Sequence, residues 1–186
     1  MKSENPTIFH PDRSPLRITI LVLVNASILC VASTVDPLRA ANRIAGEKLF
    51  DWRIVSVDGA HPVTTSGLPV AVEGAFDASP CDALIVIGGF GTREATSGRL
   101  LSGLRKSARS ARAFGGVEAG SWLLARAGLL DGRSATTHWE DLEDFAAAFP
   151  SIEVRSSRYV IDGPAFTAGG ASPIFDLMLH LIRSRL

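Results

Sequence analysis

The chain has 186 residues, 46% hydrophobic and 20% charged, a size that holds one sizeable core and argues against a multi-domain assembly within these residues. Its 19 Lys and Arg balance 19 Asp and Glu, so the chain as a whole has no net-charge reason to hold a nucleic-acid backbone or an anionic membrane. Glycine at 17 residues and proline at 10 are ordinary usage, which speaks against collagenous and low-complexity classes.

Residues 1–16 are polar, carry Pro6, Pro11 and Pro15, and lack the apolar stretch of a secretory signal. They are expected to be an unstructured arm or an expression remnant, leaving 17–186 as one domain. Arg17 to Val24 is continuous and β-branched, as in a parallel strand buried on both faces, and is far too short to span a bilayer. Ser27 to Gly46 changes to helical spacing, with Gly46 as its stop and Pro37 predicting a kink or a split behind a cap at Ser33 to Asp36. Short strands are predicted at Arg53–Val57 and, at an edge, Pro69–Val72. A fully buried strand is predicted at Ala83–Ile87, ending on Gly88 and Gly89.

Glu94 to Ala111 reads as a helix whose apolar face leaves Arg99, Arg105, Lys106, Arg109 and the following Arg112 at other positions. A solvated basic face is the ordinary reading there, and a phosphate or partner surface the alternative. Strand character returns at Arg112–Val117, followed by a small-residue helix over Gly120–Ala127 and a turn at Gly128–Gly132. Further strands follow at Ser134–Thr137, Val154, Arg158–Ile161 and Phe166–Ala168, with helices at Glu140–Phe149 and Pro173–Arg183. Alternation of strands and helices implies an α/β sandwich with a mostly parallel sheet.

Ligands of such sheets sit beyond the carboxyl ends of the strands, so the residues after each strand are the candidates. Gly116-Val117-Glu118-Ala119-Gly120 has the glycine spacing of a nucleophile elbow, with Glu118 where the nucleophile would stand. A carboxylate is a poor acyl-transfer nucleophile, but it can act as a general base or accept a cationic ligand. The ordinary alternative is a carboxylate held by helix amides. Gly88 and Gly89 could turn backbone amides toward a ligand oxygen, or form a plain turn. His138 could donate to Glu118 or to ligand, and Trp139 could wall the pocket or stack on a cation. Gly169 to Ser172 could cap the last helix or bind an anion. Cys30 and Cys81 are not in a C-x-x-C pair and read as buried structural thiols in a reducing cytoplasm. No ligand cluster with metal spacing is present, so neither metal nor cofactor is expected.

Several runs together carry a family resemblance: Asp36 to Asn42, Ile85 to Gly89, Gly116 to Gly120, Leu123 to Gly132, Ala135 to Trp139 and Thr167 to Ala171. The chain from Arg17 onward resembles the PfpI-like branch of the class I glutamine amidotransferase-like superfamily. More closely, it resembles the N-terminal sensor domain of GlxA-like AraC-type transcriptional regulators. The resemblance implies a flavodoxin-like three-layer sandwich with a mostly parallel central sheet. In catalytic relatives the elbow carries a cysteine, which is Glu118 here, and His138 falls at a pocket histidine. The segment from Ser27 to Cys30 falls where some relatives place an acid, and none is present.

The implied function is therefore a non-catalytic sensing domain for a small nitrogen-containing metabolite, cytoplasmic and homodimeric. Glu118, His138, Gly88, Gly89, Ala119 and Trp139 would line its pocket, and DNA would be held only by a C-terminal helix-turn-helix region outside this chain. The alternative is a stand-alone amidase or hydratase with Glu118 as base and His138 beside it. A ligand-free scaffold dimer would follow if Trp122 or Trp139 filled the pocket.

Overall fold

The protein is described by a computed structural model covering residues 7–92 and 97–186. Its centre is a six-stranded sheet made of β1 (Leu16–Val22), β2 (Phe50–Val55), β3 (Ala83–Ile87), β4 (Ala113–Val117), β7 (Tyr159–Asp162) and β8 (Ala165–Ala168), in the order β2-β1-β3-β4-β8-β7. All neighbours run parallel except the edge pair β7 and β8. The two-residue period of the strands sorts their side chains into two cores. Ile18, Ile20, Ile85 and Ile87 pack on one face under α1 (Ile28–Ala45) and α5 (Ala171–Arg185). Leu21, Leu84 and Val86 pack on the other under α2 (Gly98–Ser110), α3 (Gly120–Arg126) and α4 (Leu142–Ala148). The predicted three-layer sandwich is therefore the observed one. A separate ribbon pairs β5 (Ser134–Ala135) with β6 (Glu153–Val154).

Helix α1 runs unbroken through Pro37. The proline removes one main-chain donor, but Pro37, Leu38 and Ala41 are buried against the sheet, and that packing carries the helix across the gap. Asn42 then pins the start of β2: its Nδ2 donates to Phe50 O at 2.7 Å and its Oδ1 accepts from Leu49 N and Phe50 N. This anchoring begins β2 at Phe50, three residues before the predicted start. Pro69–Val72 forms no strand, only a bridge between Val63 and Pro69. The predicted strand at Ser134–Thr137 keeps two residues and lies outside the main sheet, because β8 takes the place beside β4. Helix α2 is capped by the Ser97 hydroxyl, which accepts from Leu100 N. Glu94, where that helix was predicted to begin, lies outside the described residues.

Residues 7–15, expected to be part of an unstructured arm, pack against the body. Ile8 is 1% exposed, Phe9 stands edge-on to Phe166 at 5.9 Å, and Asp12 pairs with Arg112 at 3.3 Å and with Arg185 at 3.6 Å. The apolar pair Ile8 and Phe9 supplies the burial that the proline count obscured. No helix among the described residues is long and apolar enough to cross a membrane.

Candidate functional site

The turn from β4 into α3 is tightly constrained. A Cβ on Gly116 would stand 2.5 Å from Ser121 N, and one on Gly120 would stand 2.0 Å from Val86 O, so both flanking glycines are required by close approach. Between them Glu118 has φ of 51°, in the left-handed region that costs a side-chain-bearing residue about 1 kcal/mol or more. Strand and helix hold it there. Glu118 N donates to Ala168 O at 2.9 Å, and Glu118 O accepts from Thr137 Oγ1 at 3.1 Å and from Ser121 N at 3.3 Å.

This geometry carries the Glu118 side chain into a cleft of about 370 Å³ at the carboxyl end of the sheet. The cleft is lined by Asn25, Ser27, Thr65, Gly89, Phe90, Gly91, Glu118, Ala119, His138, Glu140, Asp141 and Asp144. Burial raises the Glu118 carboxyl above the ordinary carboxylate range. A hydrogen bond from the Cys30 thiol, the field of His138 and the Ser27 N–H oppose that rise, while the charge of Asp141 adds to it. The Cys30 thiol is raised in turn, chiefly by burial and then by the adjacent Glu118 charge. A fully buried, protonated thiol is a structural donor here rather than a nucleophile.

His138 reaches the cleft because the chain ahead of it is stitched to the elbow. Ser121 Oγ donates to Thr136 O at 2.9 Å, Thr136 N donates to Thr167 Oγ1 at 2.8 Å, and Thr136 Oγ1 donates to Ser157 O at 3.1 Å. His138 Nδ1 lies 3.6 Å from Glu140 Oε2.

Of the residues singled out in the sequence, Glu118, His138, Gly89 and Ala119 come together at the cleft, and Gly88 and Trp139 do not line it. The idea of free amides at the double glycine is corrected: Gly88 N donates to Val117 O at 3.2 Å, and Gly89 N donates to Thr92 Oγ1 at 2.9 Å. Trp139 is 72% exposed, its ring tilted beside His138 at 5.7 Å, so it does not wall the cavity. Trp122 packs with Phe145 and Phe149 in the core, so neither tryptophan fills the cleft. Ser172 neither caps α5 nor stands free, because its Oγ accepts from Arg158 Nη2.

The sequence reading noted the segments holding Ser27, Phe90, Gly91 and Glu140 without giving these residues a role of their own, and did not single out Asn25, Thr65, Asp141 or Asp144. Glu140, Asp141 and Asp144 offered a signal, since acids at the start of a short helix that follows a candidate histidine share its end of the sheet. Thr65 offered none. It arrives through long-range pairing of its loop with the β1–α1 turn, where Asn25 N donates to Val63 O and Thr65 N to Ala26 O.

A parallel sheet flanked by helices, with a strained elbow aimed into a cleft at its carboxyl end, defines a flavodoxin-like domain of the nucleophile-elbow kind. Residues 19–184 match the DJ-1/PfpI family, and the chain belongs to that family. It is 37% identical over 183 residues to the HTH-type transcriptional regulator GbdR of Pseudomonas aeruginosa, covering 98% of this chain and 50% of the relative. It is 35% identical over 177 residues to the HTH-type transcriptional regulator GlxA of Rhizobium meliloti, covering 94% and 55%. The crystal structure of an AraC family transcriptional regulator from Pseudomonas putida superposes with a TM-score of 0.82 at 26% identity, covering 91% of each chain. The chain thus spans about half the length of GbdR and GlxA, both of which are transcriptional regulators.

Proposed function

We propose that this chain is the small-molecule-sensing, non-catalytic part of a cytoplasmic, homodimeric transcriptional regulator whose DNA is held by a separate helix-turn-helix region. The cleft at the elbow takes a small nitrogen-containing cation. One observation carries the reading: the Glu118 carboxylate, at the position aimed most directly by the backbone, is partly buried in a cleft rather than spread on the surface. A desolvated carboxylate binds a cation more strongly than a hydrated one, because the field is screened less. Glu140 adds a second carboxylate and Phe90 a ring face suited to an ammonium group. His138 supplies a hydrogen bond to the remainder of the ligand. Differential affinity for two arrangements of a dimer then shifts their populations and with them the attached DNA-binding units.

Isothermal titration with primary amines, quaternary betaines and amino acids tests this reading. At least one cationic class is expected to saturate, with Glu118→Gln weakening it tenfold or more. Unchanged affinity in Glu118→Gln would remove Glu118 from the pocket. The raised Glu118 carboxyl favours a second reading, an amidase or hydratase with that group as general base. Turnover of an amide or isonitrile that disappears in folded Glu118→Ala would establish it.

A further inference from the structure

We infer that the outer face of α2 is a docking surface for the phosphodiester backbone of duplex DNA, centred on Arg105, Lys106 and Arg109. These three cations and the hydroxyl-bearing Ser102 and Ser110 line a shallow cleft of about 330 Å³ in which every side chain can donate a hydrogen bond. No acidic residue occurs from Gly98 to Arg112. Elsewhere the cations are largely paired: Arg13, Arg17, Arg53, Arg155 and Arg158 each meet a carboxylate at 3.1 Å or less. Arg105, Lys106 and Arg109 have no carboxylate within ion-pair distance among the described residues. Asp77, which lines the adjoining cleft, is held by Arg53 at 2.7 Å.

The zero net charge of the chain therefore conceals a local excess. Arg105 and Arg109, four residues apart, and Lys106 and Arg109, three apart, repel one another along the helix, an arrangement that an anion on that face relieves. From Ser102 to Arg109 the stripe extends about 10 Å along the axis. That length matches about three phosphates of one strand, which are spaced about 3.4 Å along the duplex axis. DNA is the polyanion to expect there, because GbdR and GlxA, which match nearly the whole chain, are HTH-type transcriptional regulators. The inference rests on the regulator reading but not on the pocket or its ligand.

The test is a titration of the chain with a mixed-sequence 16-base-pair duplex at low salt, followed by backbone amide shifts. Shift changes are expected to concentrate in Gly98–Ser110, with affinity falling steeply with salt at a log-log slope of about −3. Arg105→Gln, Lys106→Gln and Arg109→Gln combined should weaken binding at least tenfold and flatten the slope, with the melting temperature and the pocket titration unchanged. Parent-like binding by the triple variant, or shifts confined to other elements, would overturn the inference. Two further results would also overturn it: equal shifts from inorganic phosphate at matched phosphate concentration, or a self-association abolished by the triple variant without any DNA effect.

Discussion

The two ends of the central sheet treat a carboxylate in opposite ways. At the amino end Asp12 accepts from the Ser14 hydroxyl and backbone N–H and faces Arg112 and Arg185, so its carboxyl is held well below the usual range. At the carboxyl end Glu118 is pushed above that range by burial, and the thiol and the single backbone N–H beside it do not offset the rise. At the amino end Arg185 is desolvated too, but it faces Asp12 at 3.6 Å, and Asp12, Arg112 and Arg185 together fasten the arm, β4 and the end of α5. The carboxyl end keeps a desolvated acid on a strained backbone, which lowers stability and leaves a field to be satisfied from outside. That contrast is the pattern expected when one end of a fold holds and the other binds.

The contrast is most easily broken at the elbow. Gly120→Ala forces a methyl group into the carbonyl of Val86 on the neighbouring strand, where only backbone can yield. A loss of about 4 kcal/mol is expected, measured as the shift in the urea unfolding midpoint. At the opposite end Arg185→Ala is the matching variant. Arg185 is 2% exposed, donates to Ser14 O at 2.7 Å and faces Asp12, so its removal unfastens the arm and leaves a cavity. The expected loss is about 3 kcal/mol, with faster amide exchange in residues 7–15. The cleft should be untouched by that change. A pocket ligand that binds Arg185→Ala as it binds the parent would sharpen the division of labour, and a tenfold loss would show the two ends to be coupled.

How much of this was legible depended on how local the cause is. Strand β3 was read to the residue, because Ala83–Ile87 is apolar throughout and stops at a double glycine. The elbow was legible for the same reason, since glycines at 116 and 120 act on the turn they occupy. His138 could be picked out, but its delivery to the cleft depends on the Ser121 and Thr167 hydroxyls bonding the Thr136 backbone and on the Thr137 hydroxyl bonding Glu118 O, which no spacing encodes. Gly88 and Gly89 misled because a turn glycine implies exposed amides, whereas the partners here are a strand carbonyl 29 residues away and a nearby threonine. The arm misled because its prolines and polar residues outweighed Ile8 and Phe9, whose burial requires the body they pack on.

The smallest expected effect is also the most direct measure of the contrast. With its native pKa raised, Glu118 binds more protons in the folded than in the unfolded state over the interval between the ordinary carboxylate value and the raised one. Its contribution is therefore fully present below the unfolded pKa and is lost as pH rises through the folded value. Asp12 has the opposite sign: its contribution is present above the unfolded value and is lost as pH falls toward the depressed native one. Glu118→Gln removes the first dependence and should stabilise the free protein at neutral pH by about 1 kcal/mol. Asp12→Asn should flatten only the acid limb. Urea unfolding between pH 4 and 8 separates the two. A Glu118→Gln variant that lost stability at neutral pH would mean that the elbow carboxylate is satisfied within the fold, and the cleft would then offer a ligand no unmet charge.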